Sequence, residues 1–156
     1  MDGVRAVVER LSERGERVGV FIDGPNVLRE EFTVDLNDLR TAATDRGTLA
    51  ISRLYLDEQA PTSLIQAGEA RGFEVIVTSG DVDVRLAVDA TAALVEEEID
   101  TLFIASRDTD FKPVLEAARK RGIRTCVLLP GEHGRSDALV NAADEAIVLQ
   151  AREGPQ

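Results

Sequence analysis

Asp108 and Asp110 stand one residue apart just after an apolar run, Leu102 to Ala105, in the order Ser106-Arg107-Asp108-Thr109-Asp110. Two carboxylates this close repel each other, which is poor for stability and useful for holding a divalent cation. A related arrangement occurs earlier, where Val18 to Ile22 runs into Asp23-Gly24-Pro25-Asn26, and Thr78-Ser79-Gly80 leads to Asp81 and Asp83 between them. Carboxylate oxygens suit Mg2+ or Mn2+, hard ions that keep waters and accept phosphate oxygens as further ligands. Such an ion polarises a phosphoryl oxygen and lowers the pKa of a bound water, and a pair also stabilises the leaving oxygen. This chemistry fits phosphodiester hydrolysis.

Other chemistries find less support. The lone histidine, His133, sits in a Gly-rich stretch, so neither a zinc cluster nor a Ser-His-Asp triad is indicated. Cys126 lies in the mostly apolar run Thr125 to Leu129 and reads as a buried structural thiol. Glycoside hydrolysis also uses two carboxylates, but a chain with no Trp and a single Tyr, Tyr55, offers little stacking surface for a saccharide.

The elements that must position these acids alternate. Apolar residues at Val4, Val7, Val8 and Leu11 predict a short helix ended by Gly15. Val18 to Ile22 reads as a strand buried on both faces. Asp35 caps a predicted helix over Leu36 to Arg46, followed by a strand at Leu49 to Leu56. Pro61 opens a helix that closes at Gly72, and Phe73 to Val77 is the third strand. A helix through about Glu97 leads to the Leu102 to Ala105 strand, then a helix at Phe111 to Arg121. A fifth strand at Arg124 to Leu129, a short helix capped by Ser136 and running through Ala142, and a strand at Ala146 to Leu149 complete the pattern. Ala151 to Gln156 reads as a frayed tail. The expectation is an α/β fold of three layers, with helices on both faces of a central, mainly parallel sheet. All strand C-terminal ends then share one edge, where ligands bind, and that edge collects Asp23, Asp81, Asp83, Asp108 and Asp110.

At 156 residues and 44% hydrophobic, the chain reads as one globular domain with its core at about 18–149. No apolar run approaches the roughly 20 residues of a membrane span, and no secretory signal is evident, so the expected location is cytoplasmic. The net charge of −11 argues against a general nucleic-acid coat protein. It leaves room for a metal enzyme acting on a phosphodiester, because the ion supplies positive charge locally. Acid-rich composition with only Lys112 and Lys120 as lysines also suits a surface adapted to high salt.

Each acid has an ordinary structural reading as well. Asp23 and Asn26 are common turn formers, and Asp83 and Asp108 suit helix starts. Ser106 reads as a loop hydrogen-bonder that orients Asp108 or a phosphate. Arg29, Arg85, Arg107, Lys112 and Arg135 fall in or just after loops at the active edge. Arg107 and Lys112, nearest the paired acids in sequence, are the candidate phosphate contacts.

Phe21-Ile22-Asp23-Gly24-Pro25-Asn26, the stretch Val82-Asp83-Val84-Arg85-Leu86-Ala87-Val88-Asp89-Ala90, and Ser106-Arg107-Asp108-Thr109-Asp110-Phe111 resemble the three signatures of the NYN domain. This is the LabA-like branch of the PIN-like nuclease superfamily. The stretch from Ser136 through Asp144 is similar to that branch's C-terminal pattern. The resemblance covers roughly 18–149 and implies a PIN-like sheet with the first and fourth strands adjacent at its centre. It implies a Mg2+- or Mn2+-dependent ribonuclease with Asp23, Asp83, Asp108 and Asp110 as metal-holding and catalytic residues. Asn26 matches the asparagine that orders the first loop, and Asp89 falls on a family position but ranks below the other acids as a ligand. Gly80-Asp81 replaces a frequent Lys-Gly, so a phosphate-contacting lysine is absent, and Arg107 replaces a small residue. A homodimer is a further family expectation. Two other readings stay open: a non-catalytic RNA-binding or regulatory module, and a Mg2+-dependent phosphatase or Toprim-like enzyme.

Overall fold

A computed structural model describes residues 16–28, 34–131 and 137–149. The expected helix at Val4 to Leu11, the Ser136 cap and the tail lie outside the described residues, as do Arg29, His133 and Arg135.

Chain order is β1 (Arg17–Asp23), α1 (Gly24–Val27), α2 (Leu36–Thr44), β2 (Thr48–Asp57), α3 (Thr62–Ala70), β3 (Glu74–Thr78) and α4 (Val82–Val95). There follow β4 (Thr101–Ala105), a 3-10 turn (Thr109–Phe111), α5 (Lys112–Lys120), β5 (Arg124–Leu129), α6 (Asp137–Ala142) and β6 (Glu145–Val148). The strands form one six-stranded sheet in the order β3-β2-β1-β4-β5-β6. Every pairing is parallel.

Burial follows from that arrangement. β1 and β4 lie at the centre, and β4 is buried along its whole length. Alternate residues of these strands feed two apolar layers. Phe21, Leu102, Ile104 and Val127 meet Leu86, Ala90, Leu94 and Leu115 on one face, where α4, α5 and α6 pack. Val20, Ile22, Phe103 and Leu128 lie in the other layer with Leu36, Leu39, Leu64 and Ile65 of α2 and α3. The result is three layers, as expected.

Local chemistry sets the element ends. The Asp35 side chain accepts from Asn37 N at 2.7 Å and caps α2. Gly72 and Gly122 follow α3 and α5 with φ of 88° and 73°. α4 stops at Val95, two residues before the expected end, because Glu97 itself turns left-handed at φ 55°. The stretch after β1, expected only to break the strand, forms the single turn α1 with Pro25 in its first positions. There the imino nitrogen's missing proton is not needed. Among the described residues, no helix is long and apolar enough to cross a membrane.

What this topology positions is the gap between β1 and β4. After β1 the chain leaves toward the α2/α3 face, and after β4 toward the α5/α6 face. Connections that diverge between adjacent parallel strands open a crevice at the strands' C-terminal ends.

Candidate metal centre

Asp23 ends β1 at the floor of this crevice and is only 4% exposed. Ser106, the first residue past β4, is fully buried beside it. Its Oγ donates to Asp23 Oδ2 at 3.1 Å and accepts from Asp108 N at 3.0 Å. One hydroxyl thus ties the ends of the two central strands together. A second tie runs from Arg107 N to Asn26 Oδ1 at 2.9 Å, joining α1 to the loop after β4. Gly24 makes the close approach possible, since a Cβ there would lie 2.5 Å from the carbonyl oxygen of Tyr55 and 2.5 Å from Leu56 Cδ2.

Above this floor, Asp83, Asp108 and Asp110 each offer a carboxylate oxygen within 4.8 Å of the others. Asp83 comes from the first turn of α4, the helix that crosses from β3 back to β4. Asp108 caps the 3-10 turn, its Oδ1 accepting from Asp110 N at 2.9 Å, so the capping reading holds for one of its oxygens. A cavity of about 340 Å³ is lined by Asp23, Asn26, Asp57, Asp81, Asp83 and Asp108, among others. Burial, with the nearby Asp108 and Asp83 carboxylates adding to it, pushes Asp23 up to about 6 despite the Ser106 hydrogen bond. Oxygen ligands converging on one cavity fit a hard divalent cation, and its charge would offset this repulsion.

The other candidates fall as follows. Asp81 is exposed at the cavity wall as the residue before α4, and its side chain makes no capping hydrogen bond. Gly80 also lines the cavity, and a Cβ there would meet nothing within 4 Å. Lys112 is exposed at the start of α5, and Arg107 is half-buried beside Asn26. Asp89 is turned elsewhere, because its Oδ2 accepts from the Tyr55 hydroxyl at 2.8 Å, and Arg85 Nε reaches both its oxygens at 3.2 and 3.3 Å.

Asp57 joins the cavity without having been singled out from the sequence. Its Oδ1 accepts from Gln59 N at 2.9 Å, an ordinary turn contact. The signal was present, for it directly follows the apolar stretch Leu49 to Leu56, on the same edge as the others. Cys126 is buried as expected, and burial, with the Glu145 carboxylate adding to it, pushes its thiol up to about 12.

The NYN domain family model matches residues 17–150. The chain belongs to the NYN domain family. This NYN chain is 42% identical over 145 residues to an uncharacterized protein of Methanocaldococcus jannaschii, covering 92% of this chain and 60% of that protein. It therefore spans about 60% of the length of that curated relative. The fold is similar to the crystal structure of a protein of unknown function from Vibrio parahaemolyticus, with a TM-score of 0.75 and 21% identity. That superposition covers 90% of the NYN chain and 96% of the Vibrio chain.

Proposed function

We propose that this NYN domain is a Mg2+- or Mn2+-dependent ribonuclease that hydrolyses RNA phosphodiester bonds at the acidic crevice. The observation that carries the reading is the convergence of Asp83, Asp108 and Asp110 within 4.8 Å over a buried Asp23. Asp83, Asp108 and Asp110 would hold the ion, and Asp23 would complete the set from the floor. When bound, the ion supplies Lewis acidity toward a phosphoryl oxygen and toward water. Ser106 and Asn26 fix the loops that carry the acids. Arg107, in the loop after β4, and Lys112, at the start of α5, would meet backbone phosphates.

The test uses calorimetric Mn2+ titration of the wild type and of the Asp23→Asn/Asp108→Asn double variant, then cleavage of single-stranded RNA. Loss of binding in the double variant and loss of Mn2+-dependent cleavage in Asp108→Asn are expected. Wild-type cleavage by Asp108→Asn would refute the reading. Hydrolysis of small phosphomonoesters but not RNA would favour a phosphatase.

A second reading is a non-catalytic module that keeps the fold. It is favoured by Asp57 and Asp81 on the cavity wall, with Gly80 where many members carry lysine. Turnover on a broad RNA panel at suitable salt would exclude it.

A further inference from the structure

Tyr55 and Asp23 are register partners across β1 and β2. Neighbours in a parallel sheet direct their side chains to the same face, here the one covered by α4. The Tyr55 ring is fully buried and stacks with Phe21 at a centroid distance of 6.4 Å. Its hydroxyl donates to Asp89 Oδ2 at 2.8 Å, a charge-assisted bond inside the helix–sheet layer. Asp89 lies six residues beyond Asp83 on the same helix, about 9 Å along the axis and roughly 1.7 turns around it. One face of α4 therefore grips β2 while another presents a carboxylate to the loop after β4.

α4 also packs on the sheet through apolar Leu86, Ala90, Ala93 and Leu94. Apolar burial is non-directional, and it fixes the distance of a helix from a sheet better than the helix's rotation or axial position. A hydrogen bond from a rigid, stacked tyrosine sets both. We propose that the Tyr55–Asp89 pair is a positioning clip, which references Asp83 on α4 to Asp23 on β1 and so sets the spacing of the acidic site. Asp89 then acts through Tyr55 and is not itself a ligand. This assignment rests on reading the crevice as a cation site.

The probe is Mn2+ alone, titrated into the wild type, Tyr55→Phe, Asp89→Ala, Asp89→Asn and the Tyr55→Phe/Asp89→Ala double variant. Tyr55→Phe and Asp89→Ala should each weaken binding about tenfold or more, as loss of an orienting partner does at metal sites. The double variant should be no weaker than the worse single one, because both break the same link. Asp89→Asn keeps an acceptor for the hydroxyl and should recover most of the affinity. Wild-type affinity in Tyr55→Phe, even with a lower melting temperature, would overturn the clip. Additive losses in the double variant would overturn it too, and make Asp89 a ligand. If the wild type binds no Mn2+, the cation reading fails instead. Amide exchange at Arg85 and Leu86 then decides the clip: faster exchange in Tyr55→Phe supports it, and unchanged protection overturns it.

Discussion

The buried Ser106 hydroxyl donates to Asp23 Oδ2 across 3.1 Å, so the central strands meet at a carboxylate. Ser106 Oγ in turn accepts from Asp108 N at 3.0 Å, so one hydroxyl serves both strand ends. Ser106→Ala should destabilise the fold by about 1–3 kcal/mol through the lost buried hydrogen bonds. Mn2+ affinity should fall about 10- to 100-fold. Thermal melts and calorimetry read the two effects separately, and unchanged values in both would remove Ser106 from the site.

Asp23 has a pKa of about 6 in the fold, against 3.8 for an ordinary aspartate. Between those values the folded chain binds more protons than the unfolded one. This group's contribution therefore favours folding below the lower value and is lost as pH rises through the upper one. Near neutrality and without a cation, the ionised group costs on the order of 3 kcal/mol. Urea denaturation at about pH 4 and about pH 7 should show this slope in the wild type, and Asp23→Asn should flatten it. Saturating Mn2+ should flatten it as well, since the ion favours the ionised form.

Gly24 packs against the backbone of β2, and an added Cβ would clash with the Tyr55 carbonyl oxygen at 2.5 Å. Gly24→Ala should cost about 1–3 kcal/mol by overpacking and displace the adjacent Asp23. A wild-type melting curve from that variant would contradict the packing described.

At the opposite end of the sheet, Glu145 is held down at about 2, chiefly by its hydrogen bond from Arg46. A lowered carboxylate stabilises the fold above its ordinary value of 4.5, and this is lost as pH falls through 2. Both side chains are about 30% exposed, with relative accessibilities of 30% and 29%. The expected cost of Glu145→Gln near neutrality is therefore only about 1 kcal/mol. Melting the variant beside the wild type should show a gap near neutral pH that closes in strong acid.

The sequence was most informative where one interaction type dominates. The apolar runs of β1, β4 and β5 are buried on both faces, and burial of that kind needs no knowledge of neighbours. The shared edge of a parallel sheet then brings Asp23, Asp83 and Asp108 to one cavity by topology alone. Strand order is different, for the adjacency of β1 and β4 came from family resemblance and not from periodicity. Asp57 ends β2 as Asp23 ends β1, but it carries no family signature and reads as a turn former, the role its bond from Gln59 N shows. The partner of Asp89 was invisible because Tyr55 lies 34 residues away, and only strand register and helix docking bring the two together. Gly24-Pro25 read as a break because the same residues that end a strand also start a helical turn.

Gly80 lines the cavity with nothing within 4 Å of where its Cβ would stand. The scaffold thus places no steric demand on this residue of the acidic cavity's wall. A side chain at that point, charged or neutral, can therefore be accommodated without disturbing the fold. Packing does not dictate glycine there, and the charge of the cavity wall is set by the side chain chosen and not by the scaffold.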